Sequence, residues 1–119
     1  MIDIRNVIVT KLKTIHSRVY FLKSSSTASF PYLVYDVNIT NLEDGLQLVT
    51  LDVDGWDNAS DTTALEQLMG EVKEELNNQT VIVDKLAVTF YLDRMTTLVD
   101  DDPTLNRRKY IFEGRLYER

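Results

Sequence analysis

The chain has 119 residues, 44% of them hydrophobic and 27% charged, with a formal net charge of −6, no cysteine and a single histidine. That length makes one domain, residues 1–119, with room for a real core, and the composition is that of a globular rather than a disordered chain. The lack of cysteine excludes a disulfide framework and thiolate metal or redox chemistry, and one histidine, His16, cannot build a histidine-rich metal centre within a single chain. The acidity argues against adhesive binding along a nucleic-acid backbone.

In chain order, Ile4, Val7, Ile8, Leu12 and Ile15 recur at helical spacing, with Arg5, Lys11 and Lys13 mostly opposite, so residues 2–15 are predicted to form a helix. Asp3 suits its N-cap or first turn. His16, next to the apolar Ile15, is placed to bond the last carbonyls of that helix. Residues 1–5 show no basic segment leading into an apolar run, so secretion is not expected. No apolar stretch reaches the ~20 residues of a membrane span. Residues 18–22 are a short β-prone run expected at a sheet edge, and residues 23–29 a small polar loop.

Residues 30–57 read as a hairpin. Its first arm, 30–40, sets Leu33, Tyr35, Val37 and Ile39 against Val34, Asp36, Asn38 and Thr40, the period-two alternation of a half-buried strand. Pro31 stands at the start of this arm, where its missing N–H does least harm. Residues 41–45 supply turn chemistry, with Asp44-Gly45 able to adopt positive φ cheaply. The return arm, 46–57, sets Val49, Leu51 and Val53 against Thr50, Asp52 and Asp54. The hairpin is expected at the centre of a sheet that another element covers.

Ser60-Asp61 open a second helix over 61–77, with an apolar stripe of Leu65, Leu68, Met69, Val72 and Leu76 and a stop at Asn77-Asn78. At ~1.5 Å per residue it is ~25 Å long, enough to cross several strands. Residues 85–94 alternate Leu86, Val88, Phe90 and Leu92 against Ala87, Thr89, Tyr91 and Asp93. Residues 96–107 read as an acidic loop around Asp100-Asp101-Asp102-Pro103, and residues 108–117 as a last strand with Tyr110, Phe112, Gly114 and Leu116 on one face. The order α-β-β-β-α-β-β implies an α+β fold, a mainly antiparallel sheet with the helices packed against it.

Few residues invite chemistry. A calcium loop with Gly55 at its sixth position would have Thr50 first and Asp61 last, and a strand where the entering helix belongs, so Asp52, Asp54 and Asp57 read as a strand's solvent face. Asp100, Asp101 and Asp102 are adjacent acids of a solvated loop rather than converging magnesium ligands. The sequons at Asn38, Asn58 and Asn78 are chance matches if the chain is not secreted. Arg107-Arg108-Lys109 is the one dense basic cluster, read as an internal or intersubunit salt-bridging group rather than a DNA contact. Trp56 and the six tyrosines are core by default, with an interface as the alternative. No nucleophile elbow, phosphate loop or nucleotide fingerprint is present, so no catalytic residue and no cofactor is expected.

From Phe30 onward the chain resembles the tail terminator, or tail-completion, proteins of long-tailed bacteriophages and prophages. The resemblance lies in the strand opening Pro31-Tyr32-Leu33-Val34-Tyr35, the second strand from Val49 to Trp56 running into a striped helix, Asp102-Pro103-Thr104 in a long loop, and a closing strand entered through Arg107-Arg108-Lys109. It implies a non-enzymatic virion protein that caps the tail tube as a homo-hexameric ring, ends tail elongation and forms the joint to the head connector. Its implied partners are further copies of itself, the tail tube protein and the head connector or stopper protein. Its implied place is the host cytoplasm during assembly and then the head-proximal end of the virion tail. Double-stranded DNA would pass the lumen without specific binding, because six copies at −6 each carry −36 and repel it. The loops 23–29 and 96–107, with Ser24, Ser25, Ser26, Asp100, Asp101, Asp102, Arg107 and Arg108, are the expected subunit or tube contacts. Two other readings are a small dimeric ligand-binding or regulatory α+β module and, last, an enzyme using Asp52, Asp54 and Asp57 with a divalent ion.

Overall fold

A computed structural model describes residues 2–24, 29–42, 46–83, 86–99 and 102–118. Its elements are α1 (Ile2–Lys13), β1 (Val19–Phe21), β2 (Tyr32–Asn41), β3 (Gln47–Asp57), α2 (Thr63–Leu76), β4 (Gln79–Val83), β5 (Leu86–Val99) and β6 (Asn106–Glu118). The class is α+β. The six strands make one sheet in the order β1-β2-β3-β6-β5-β4, antiparallel at every junction except the parallel pair β1–β2.

The expected hairpin is β2–β3, in register from Tyr32↔Trp56 to Asn41↔Gln47. Its turn at Asp44-Gly45 lies outside the described residues. Because side chains alternate across a strand, Leu33, Tyr35 and Val37 of β2, Val49, Leu51 and Val53 of β3, and Tyr110, Phe112 and Leu116 of β6 share the face on which the helices lie. α1 adds Ile4, Ile8 and Leu12, and α2 adds Leu65, Leu68, Met69, Val72 and Leu76. Phe90 and Phe112 are the largest fully buried side chains.

Two glycines let this layer close. A Cβ at Gly55 would lie 2.5 Å from Met69 Sδ, so the bare backbone there is what lets α2 settle on β3. A Cβ at Gly114 would lie 2.8 Å from Val88 Cγ2 and 3.0 Å from both Phe90 Cδ1 and the Thr89 carbonyl oxygen.

The structure departs from the sequence pattern in four places. β4, Gln79–Val83, is a strand more than the alternation suggested; it follows α2 at once and is too short to show a period. Half of the 96–107 segment is strand, since β5 runs on to Val99 and β6 begins at Asn106, with a turn at Pro103 and Thr104. The alternation fails there because of a register shift between Leu92 and Arg94, which turns the following residues to opposite faces. α2 starts at Thr63 rather than Ser60, with Asp61 Oδ1 accepting from the Thr63 N–H at 2.9 Å and its hydroxyl at 2.6 Å.

The fourth departure is His16. Two of the last carbonyls of α1 are already taken, Leu12 O by the backbone N–H groups of Ile15 and His16, and Lys11 O by the Thr14 N–H and hydroxyl. The imidazole instead bonds the Pro31 carbonyl through Nε2 at 2.8 Å, and Arg18 Nε donates to the same oxygen at 3.0 Å. His16 therefore ties the end of α1 to the start of β2.

Candidate functional site

The face of the sheet turned away from the helices carries no helix among the described residues, and its most organised part lies where β2 begins, β3 ends and β6 begins. The register puts Tyr32, Trp56 and Arg107 side by side across these three strands. Tyr32 and Trp56 stack with centroids 6.4 Å apart and planes 20° off parallel. Tyr20 meets Tyr32 edge-on at 5.9 Å, and Phe30 packs on it at 5.2 Å. The Arg107 guanidinium lies 4.7 Å from the Trp56 ring centroid, within cation–π range. Its Nη2 donates to Asp54 Oδ2 at 2.9 Å.

This row floors a cleft of about 210 Å³, walled on one side by Leu22, Lys23 and Ser24. Leu22 holds φ at 66°, which turns the chain away from β1 and over the cleft. Asp54 Oδ1 and Arg107 Nε are buried with no hydrogen-bond partner among the described residues. The ion pair is therefore made through one nitrogen and one oxygen rather than as a two-point fork.

Beside the cleft the acids crowd together. Asp36 faces Asp52 directly across β2–β3. Burial raises the Asp52 carboxyl above its ordinary 3.8, and Asp54 and Asp36 raise it further, while Lys109, with Nζ 3.8 Å from Asp52 Oδ2, and Arg94 pull it down. Asp57 falls on the opposite, helix-bearing face, where its Oδ1 accepts from the backbone N–H groups of Asn58 and Ala59. Asp52, Asp54 and Asp57 thus do not converge, and no metal-binding group of three or more ligating side chains occurs among the described residues.

The residues expected at a contact surface separate. Ser24 and Arg107, one from each expected loop, both line the cleft. Asp102 is exposed at the β5–β6 turn, where the N–H and hydroxyl of Thr104 bond its Oδ1 and hold its carboxyl below the ordinary value. Arg108 points to the helix-bearing face, with Nε 2.5 Å from Glu66 Oε1 in the first turn of α2. Ser25, Ser26, Asp100 and Asp101 lie outside the described residues. The basic cluster pairs internally, Arg107 with Asp54, Arg108 with Glu66 and Lys109 with Asp52. Sequence reasoning missed Tyr32 and Trp56 as surface residues because aromatics default to the core. The alternation held the signal, since each lies one residue out of step with the buried row.

A second concavity, of about 410 Å³, lies toward the other end of the same face between Leu48, Tyr91 and Arg115. No helix among the described residues is long and apolar enough to cross a membrane.

No protein-family model matches the chain, and no curated protein does. Its fold is similar to that of a chain in the solved virion of a native gene transfer agent particle. The TM-score is 0.77, and the match covers 94% of this chain and 92% of the other at 10% sequence identity. At that identity the likeness is one of fold.

Proposed function

We propose that this protein is a structural component of a phage-like virion, and within it the subunit of a hexameric ring that caps the tail tube and joins it to the head connector. The observation that carries the reading is the near end-to-end fold match to a virion chain. The resemblance from Phe30 onward to tail terminators supplies the finer role. The cleft supports a contact function, because tryptophan, tyrosine and arginine in a partly buried cluster are the residues on which protein interfaces concentrate their binding energy. In this reading the cleft, with Ser24 and Arg107, and the β5–β6 turn, with Asp102, touch the neighbouring subunit or the tail tube protein. The ring assembles in the host cytoplasm and stays at the head-proximal end of the tail.

The test is light-scattering mass over a wide concentration range, with negative-stain images of the same fractions. A sixfold ring supports the reading. A stable dimer overturns it in favour of a small ligand-binding module. If the chain is monomeric, capping of purified tail tubes decides, and tubes that elongate unchecked in its presence reject the cap.

A further inference from the structure

We propose that the free edge of β4 receives an extended, uncharged segment of another protein, which adds a strand to this sheet. The two edges of the sheet are unequal. β1 offers three residues before Leu22 turns the chain away at φ 66°, with the Lys23 N–H bonding back to the Phe21 carbonyl at 2.7 Å. β4 offers five, Gln79, Thr80, Val81, Ile82 and Val83, with no charge and no proline among them. Proteins guard their edges with charges, prolines or bulges, because an unguarded edge is a template for a further strand. β4 ends the sheet, so its outer backbone groups meet no strand among the described residues.

The edge is held in shape for pairing. The hydroxyls of Thr80 and Thr89 bond at 2.6 Å, the Asn78 N–H donates to the Phe90 carbonyl at 2.7 Å, and Asn77 Oδ1 accepts from the Leu92 N–H at 2.8 Å. These bonds fix β4 to β5 on both sides of its entry. Ile82, 54% exposed, stands beside the edge on the open face, and Val81 is half-buried on the helix side. An incoming strand with apolar residues at alternate positions would cover both.

The occupant is a partner's segment rather than a second copy. Five paired residues fall far short of the ~1,200 Å² that a stable association of two domains buries. A segment tethered within an assembly needs no such area, because the tether supplies a high local concentration. This inference holds whether or not the assembly is a tail cap.

The probe is a short peptide of alternating threonine and valine with a lysine at each end, titrated into the isotope-labelled chain while backbone amide signals are followed. Saturable shifts centred on residues 79–83 and their partners on β5 are expected, with exchange of the β4 amides slowed by about tenfold or more. Ile82→Lys, at an exposed position, should abolish the shifts and leave the melting temperature unchanged. The same peptide N-methylated at alternate residues should not bind, since it cannot complete the ladder. The proposal is overturned if β4 shows no saturable shift, or if the N-methylated peptide binds equally well. It is also overturned if the free chain forms a dimer that Ile82→Lys dissolves, which would assign the edge to a second copy.

Discussion

The two faces of this sheet are written by the same strands, one residue out of step, and they obey different physics. On the helix-bearing face Leu33, Val49, Leu51, Val53, Phe90 and Phe112 are buried to 2% exposure or less. What decides that face is volume: a Cβ at position 55 would push the Met69 thioether aside, and one at 114 would crowd Val88, Phe90 and the Thr89 carbonyl. On the open face the same strands carry Asp36, Asp52, Asp54, Arg107 and Lys109 beside Tyr32 and Trp56. That face is ordered by ion pairs and ring contacts at the margin of water. One face holds the fold together; the other carries no helix among the described residues.

The comparison breaks first at the core. Phe112→Ala should cost about 3–5 kcal/mol in urea unfolding, since it removes a fully buried ring and leaves a cavity. Gly114→Val should cost about 1–3 kcal/mol, because Val88, Phe90 and the Thr89 backbone must give way. A thermal melt unchanged by either would mean that the helix-bearing face is less tightly packed than its contacts indicate.

On the open face the effects should be smaller. Arg107→Ala uncovers Trp56 and leaves the Asp54 carboxylate without its cation, at about 1 kcal/mol after screening by solvent. Arg107→Lys should recover only part of this, because an ammonium cannot stack on the indole as a guanidinium does. Full recovery in chemical unfolding would show that charge alone matters there.

Asp52 sharpens the contrast by pH. Its carboxyl is raised, so folding takes up protons at this site, and ionising it costs stability as pH rises from 3.8 through the raised value. Asp52→Asn should therefore melt higher than the parent at neutral pH, and the gain should vanish as pH falls below 3.8. A gain that persists in acid would point to packing rather than charge. The smallest effect belongs to Lys11–Glu75, 3.4 Å apart with Lys11 half-buried and Glu75 exposed, where Lys11→Ala should change stability by at most ~0.5 kcal/mol.

Much of the fold was legible along the chain. The apolar stripes of α1 and α2 and the inward rows of β2, β3 and β6 follow local periods of 3.6 and 2, and most of each is buried as read, with Val7, Ile15 and Ile39 only half-buried. β4 escaped because five residues directly after a helix carry no period. The far half of β5 escaped because the register shift at Leu92 and Arg94 breaks the alternation by which a strand is recognised. Ser24 and Arg107 could be singled out one at a time, as loop and basic-cluster residues, but nothing in the sequence said that they shared a cleft.

By itself, then, the sequence determined the α+β class, the single core and which residues of each strand point the same way, because these follow from the geometry of neighbouring residues on one element. The tertiary structure decided which outward residues became neighbours. Tyr32 and Trp56 come from the two arms of one hairpin and Arg107 from a strand much later in the chain, and only the register of β2 on β3 and the order β2-β3-β6 lay one ring on the next and a guanidinium over the last. The sheet order likewise left β4 with an open edge. Strand order and register rest on contacts between elements, and local periodicity carries no record of them.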